Sequence, residues 1–72
     1  MKFSEAKLAE WKGLTPDQII DSAAKDMTIG DEARFVFIEG FAWSGKSFPA
    51  GDYRLRIIER NSEPVTVLDR VR

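Results

Sequence analysis

The sequence predicts an α+β domain in which two N-terminal helices precede an antiparallel meander of three or four strands. Three observations lead to this fold class. Helix-start signals occur at Ser4 and Thr15, and the apolar spacing changes from a helical period to alternation beyond residue 30. All strand-forming segments follow the helical ones, which is typical of α+β folds. With 72 residues, positions 1–72 are expected to form one small domain.

The two helices are predicted from their ends. Ser4 is the N-cap of the first helix, and Gly13 is a natural stop. The segment Thr15-Pro16-Asp17-Gln18 starts the second helix with an N-cap Thr, a Pro at the first helical position and a capping-box Gln. Apolar residues then recur at helical spacing, namely Ile19, Ile20, Ala23, Ala24 and Met27. The second helix is therefore predicted from about Pro16 to Met27.

The middle of the chain is predicted to form strand and turns. Residues 33–39 are rich in strand formers and apolar on both sides, which predicts a strand covered on both faces. Gly40 indicates a bulge or bend, after which residues 41–43 are predicted to continue the strand. Residues 44–47 are predicted to form a hairpin turn and residues 48–52 a loop.

The clearest strand is Tyr53 to Arg60, because its residues alternate in character. One face carries Tyr53, Leu55 and Ile57, and the other carries Arg54, Arg56, Ile58 and Arg60. Residues 61–64 are predicted to turn the chain, and residues 65–71 to form a last strand. We expect the sheet to bury one face against the second helix.

Composition removes several kinds of chemistry. The chain has no Cys and no His, so a disulfide is excluded and a structural zinc site nearly so. The usual nucleophile–base pairs are also missing, which predicts a protein without catalytic activity, cofactor or metal. No apolar run suggests a membrane segment, and the start lacks the apolar core of a signal peptide. These features predict a cytoplasmic location and no membrane partner.

One motif suggests nucleotide binding. Residues 40–47, Gly-Phe-Ala-Trp-Ser-Gly-Lys-Ser, match the P-loop pattern G-x-x-x-x-G-K-[ST]. A P-loop needs a helix that begins at the Lys-Ser pair, because its N-terminus faces the phosphates. Pro49 and Gly51 follow, and then an alternating strand. The segment is therefore predicted to be a hairpin between two strands, with a weak anion-binding turn at Lys46 as a lesser alternative.

Charge is distributed unevenly along the chain. Residues 1–32 carry four Lys and seven acidic residues, whereas residues 33–72 carry six Arg, one Lys and five acidic residues. Arg54, Arg56 and Arg60 are predicted to share a sheet face, with Arg34, Arg70 and Arg72 as candidates to lie alongside. Such a face suits an anionic partner. The alternative is a solvated face with cross-strand pairs such as Arg56 to Asp69.

These features predict a function in binding. We expect a small protein–protein interaction module that acts as an adaptor, inhibitor or regulator of a larger macromolecular machine. A single-stranded nucleic-acid-binding domain that uses the same β-face is the alternative, and self-association is compatible with the sequence. The candidate contact residues are Trp43, Phe41, Lys46, Phe48, Tyr53, Arg54, Arg56 and Arg60. Most of the aromatic residues, and Trp11 of the first helix, have core packing as their other interpretation.

Overall fold

The protein has two helices followed by five strands in residues 2–72, the part of the chain that the computed structural model describes. The elements are α1 (Glu5–Glu10), α2 (Pro16–Lys25), β1 (Glu32–Phe37), β2 (Phe41–Trp43), β3 (Lys46–Phe48), β4 (Gly51–Arg60) and β5 (Glu63–Arg70). Strands β1, β4 and β5 form an antiparallel sheet in the order β1-β4-β5, and β2 pairs with β3 in a separate two-stranded sheet. The predicted α+β class is confirmed.

Both predicted helix starts are present. The side chain of Ser4 accepts a hydrogen bond from the Lys7 amide at 3.2 Å, and the Thr15 amide donates to Gln18 Oε1 at 3.0 Å. These contacts satisfy amides that have no partner within the helix. Helix α2 ends at Lys25, two residues before the predicted end, although Met27 still packs in the core with 7% of its surface exposed.

The alternation along β4 separates the two faces of the sheet. Tyr53, Leu55 and Ile57 are buried on the inner face, whereas Arg54 and Arg56 lie on the outer face. The inner face packs against Ile20 and Ala23 of α2, and both of these side chains are fully buried. The sheet therefore buries one face against the second helix, as the sequence predicts.

Helix α1 joins the same core through Trp11. Its indole Nε1 donates to Ser22 Oγ of α2 at 3.0 Å, and its ring lies 5.7 Å from that of Phe35 on the inner face of β1. Only 8% of the Trp11 surface is exposed. This residue therefore stabilises the fold and does not form part of an open surface.

The outer face of the sheet is uncovered, so the prediction that residues 33–39 are covered on both faces is wrong. Val36 is 72% exposed and Ile38, just past the end of β1, is 89% exposed. Two short helices are enough to cover only one face of a three-stranded sheet. The same side of β5 carries Val65 and Val67, which are opposite Ile58 and Arg56 in the register and only partly buried.

The prediction that residues 41–43 continue β1 is wrong. The chain bends at Ile38 and Glu39, leaves the sheet, and forms the β2–β3 hairpin. The turn consists of Ser44 and Gly45, with φ angles of 52° and 77°, and Lys46 already belongs to β3. Packing of the hairpin rings on the inner face decides this path, because Phe41 and Phe48 lie 5.4 Å and 5.8 Å from the Tyr53 ring.

Three other predicted boundaries also move. The loop predicted at residues 48–52 is limited to Pro49 and Ala50, since β3 ends at Phe48 and β4 begins at Gly51. The turn predicted at residues 61–64 consists of Asn61 and Ser62, with φ angles of 53° and 65°. Strand β5 accordingly starts at Glu63 and ends at Arg70.

No helix within residues 2–72 has the length and apolar character needed to cross a membrane.

Candidate interaction surface

The segment that matches the P-loop pattern is a β-hairpin. Residues 40–47 run through β2, the turn and the first two residues of β3, and Ser47 is followed by more strand. A phosphate-binding loop requires a helix N-terminus at this point. The backbone of the hairpin therefore presents no phosphate cradle, and Lys46 is available as an exposed side chain on a strand.

The hairpin is held in place on two sides. Its rings pack on the inner face of the sheet, and Phe41 and Phe48 stack on each other at 5.3 Å. On the other side, Trp43 Nε1 donates to Asp21 Oδ1 of α2 at 3.0 Å. These contacts fix the position of the hairpin relative to both α2 and the sheet.

A groove separates the hairpin from strand β5. Its volume is about 370 Å³, which lies in the range of ordinary binding clefts. One wall is the hairpin, with Trp43, Ser44, Lys46 and Phe48, and the other is β5 from Val65 to Asp69, with Arg60 at the rim. We call these residues the groove. Trp43, Phe48 and Leu68 are each half-buried, so apolar surface remains open to a ligand.

The charges of the groove are predominantly positive. Lys46 and Arg60 are exposed and make no ion pair with any residue from 2 to 72. The one acidic residue of the groove is Asp69, and its Oδ2 accepts from Arg56 Nη2 at 2.8 Å. The charge of Asp69 is therefore neutralised by Arg56, whereas Lys46 and Arg60 can pair with an anionic partner.

The predicted arginine face exists, but acidic residues balance it. Arg54 lies between Glu32 and Asp69, with Nη–O distances of 3.9 Å and 3.8 Å, and Arg56 pairs with Asp69 as the alternative interpretation predicted. The Nε atoms of Arg54 and Arg56 are buried and have no hydrogen-bond partner in residues 2–72. A side-on bidentate contact to phosphate uses Nε, so neither guanidinium offers that edge to a ligand.

Of the remaining arginines, Arg34 lies beside Arg54 on the outer face, whereas Arg70 lies on the other face. Arg34 is opposite Arg54 in the β1–β4 register and is exposed. Arg70 is opposite Tyr53, hence on the other side of the sheet, and its Nε donates to the Arg72 carbonyl at 2.8 Å. The suggestion that Arg70 lies beside Arg54 and Arg56 is therefore wrong, and for Arg72, beyond the end of β5, it stays a prediction.

The candidate contact residues divide into three groups. The groove brings together Trp43, Lys46, Phe48 and Arg60. Arg54 and Arg56 lie on the outer face. Two residues pack in the interior, namely Tyr53, which has no exposed surface, and Phe41, which is half-buried. Sequence reasoning missed the β5 wall from Val65 to Asp69, because no local pattern indicates which strand the hairpin will approach.

Trp43 also contributes to a second depression. It is lined by Asp17 and Asp21 of α2 and by the hairpin turn. Within residues 2–72, no three acidic side chains come close enough to hold a metal ion. Asp17 and Asp21 already accept hydrogen bonds from Thr15 and Trp43, so this depression has an evident structural role.

Comparison with models of protein families, with curated proteins and with solved structures finds no match for this chain.

Proposed function

We propose that this chain is a small cytoplasmic protein–protein interaction module that binds a larger protein through the groove. Because the chain has no Cys and no His for the usual nucleophile–base pairs, the proposed role is that of an adaptor, inhibitor or regulator. The observation that supports this proposal most directly is the pairing of half-buried aromatic residues, Trp43 and Phe48, with two unpaired cations, Lys46 and Arg60.

This combination is typical of binding sites between proteins. Aromatic side chains and Arg are enriched at the centres of interfaces, where a few anchors supply most of the binding energy. Trp43 is held by its bond to Asp21, so it loses little conformational freedom when a partner binds. A pre-ordered anchor of this kind lowers the entropic cost of association.

The charge pattern favours a protein partner over nucleic acid. Binding to a polyphosphate backbone depends on several cations that release counterions together. On the outer face, Asp69 and Glu32 lie within 4 Å of the arginines that would fill this role. Arg34 is also exposed and makes no ion pair within residues 2–72, but it lies on β1, at the other edge of the sheet from the groove. Lys46 and Arg60 are the unpaired cations of the groove, and two cations suit a localised acidic group better than a continuous phosphate chain.

A pull-down from source-cell lysate tests this proposal, with nuclease and without. The bait is the tagged chain, and the variants are Arg60→Glu in the groove and Arg34→Glu at the far edge of the sheet. We expect a protein partner that survives nuclease, is retained by Arg34→Glu and is lost with Arg60→Glu. Recovery that disappears with nuclease would favour the nucleic-acid alternative, and equal recovery by both variants would remove the groove as the site.

A further inference from the structure

Strand β5 is a free edge of the sheet, and its register shows which of its backbone groups point outward. The Val71 amide donates to the Asp52 carbonyl at 2.8 Å, and the Ile57 amide donates to the Asp31 carbonyl at 3.2 Å. The backbone N–H and C=O groups of even-numbered β4 residues therefore form hydrogen bonds to β5, and those of odd-numbered β4 residues form hydrogen bonds to β1. Their β5 partners are the odd-numbered residues, so Thr66 and Leu68 direct N–H and C=O away from the sheet.

These outward groups lie along the groove. Five consecutive residues, 65–69, form one wall, and such a stretch of strand spans about 13 Å between its end Cα atoms. A groove that follows an open strand edge has the shape of an extended peptide. A strand that entered it would bond to the backbone of Thr66 and Leu68, as in peptide recognition by strand addition.

The end of β5 nearest the turn is closed to such pairing. Pro64 alternates with Thr66 and so lies on the open edge, where it has no N–H to donate. Proline on an edge is one of the features that limit unwanted pairing. The receptive part of the edge therefore begins at Thr66, which is the part that faces Trp43 and Phe48 across the groove.

The groove also selects the charge of its ligand. Lys46 and Arg60 make no ion pair within residues 2–72, although Glu63 is opposite Arg60 in the β4–β5 register, and the carboxylate of Asp69 is bonded to Arg56. An incoming strand gains most from apolar side chains against Trp43, Phe48 and Leu68. Carboxylates within reach of Lys46 and Arg60 add complementary charge.

We infer that the partner of this module inserts an extended acidic segment into the groove, where it adds a fourth strand at β5. This inference rests on the proposed function and specifies its ligand as a peptide of alternating apolar and acidic residues. Its hydrogen bonds go to Thr66 and Leu68, and its carboxylates to Lys46 and Arg60.

The test selects random 12-residue peptides on display against the full chain, and then maps the enriched peptides by amide chemical shifts. We expect enriched sequences that alternate apolar residues with Asp or Glu, and shifts centred on Thr66 and Leu68. Thr66→Pro removes an outward amide without taking a bond from β4, and should weaken binding at least tenfold. The charge reversal Lys46→Glu with Arg60→Glu should do the same, while Arg34→Glu, at the other edge, retains affinity.

Several results would overturn the inference. In the selection, these are enrichment of basic or helical peptides, or no enrichment at all. In the later measurements, they are chemical-shift changes confined to Arg34 and Val36 of β1, or unchanged peptide affinity of a Thr66→Pro variant that retains its fold. A concentration-dependent dimer with protected Thr66 and Leu68 amides would show that a second copy takes the groove instead. Each of these results leaves the proposed function standing when the lysate experiment yields a partner that Arg60→Glu loses, so the two failures are distinguishable.

Discussion

Trp43 of the hairpin donates its indole N–H to the carboxylate of Asp21 on α2, with 3.0 Å between Nε1 and Oδ1. This bond joins the wall of the groove to the helix that supports the sheet. Any ligand that contacts Trp43 therefore meets a side chain whose orientation is already fixed by its hydrogen bond to Asp21.

Removal of this acceptor should loosen the hairpin. We expect Asp21→Ala to lower the free energy of unfolding by about 1 kcal/mol, the net value of one such hydrogen bond, and to shift the Trp43 indole N–H resonance. Asp21→Asn keeps an acceptor oxygen and is the matched control. Urea denaturation with proton NMR measures both effects, and equal losses in the two variants would show that the bond contributes nothing.

The turn between β4 and β5 holds a non-glycine residue in a left-handed conformation. Ser62 has a φ of 65° and follows Asn61, at 53°, and Asn-Gly is the preferred pair for this turn. Ser62→Gly should raise stability by about 0.5–1 kcal/mol, because relief of the left-handed strain outweighs the added chain entropy. Ser47→Gly, placed within β3, should lower stability in the same thermal melts. Equal effects of the two changes would contradict this reasoning.

The core is small enough for one truncation to unfold the domain. Leu55 has no exposed surface, and Leu→Ala at such a site costs about 3 kcal/mol. A core of this size supplies roughly 3–5 kcal/mol in total, so Leu55→Ala should leave much of the chain unfolded at 25 °C. Leu8→Ala, at a site 48% exposed, should retain the circular dichroism spectrum of the native chain; a folded Leu55→Ala would indicate a larger reserve of stability.

The β1 edge should limit solubility at high concentration. Val36 is 72% exposed on an edge strand, and natural edges are protected by charge, especially Lys. Val36→Lys should reduce light scattering in concentrated samples without a change in melting temperature. Ile29→Lys adds the same charge at a residue that is 49% exposed and outside the strands. If both changes improve solubility equally, net charge and not edge protection is the cause.

Local signals predicted most of the fold. The caps at Ser4 and Thr15 act within one helical turn, and the alternation from Tyr53 to Ile57 records directly which face of β4 is buried. Caps and alternation are set by residues close to one another along the chain, so both can be predicted from the sequence. The Arg56–Asp69 pair was also predicted, but the register places Asp69 opposite Arg54, and the Arg56 guanidinium reaches it diagonally.

The departure of the hairpin from the sheet was not predictable in the same way. Residues 41–43 have the composition of a strand whether they extend β1 or form β2, and Gly40 permits both. Ring packing on Tyr53, which is distant in sequence, decides between the two paths. The groove was invisible for the same reason, because its walls at Trp43 and Leu68 meet only in the folded chain.

The division of β4 between a buried and a charged face also limits how this chain can change in evolution. Substitutions at 54, 56 and 58 have solvent on one side, whereas those at 53, 55 and 57 meet the core. An inserted or deleted residue within this strand would move every following side chain to the other face of the sheet and turn arginines toward the core. A longer turn at Asn61 and Ser62 leaves the alternation of β4 unchanged. Length variation in related chains should therefore accumulate at this turn, while β4 changes only by replacement.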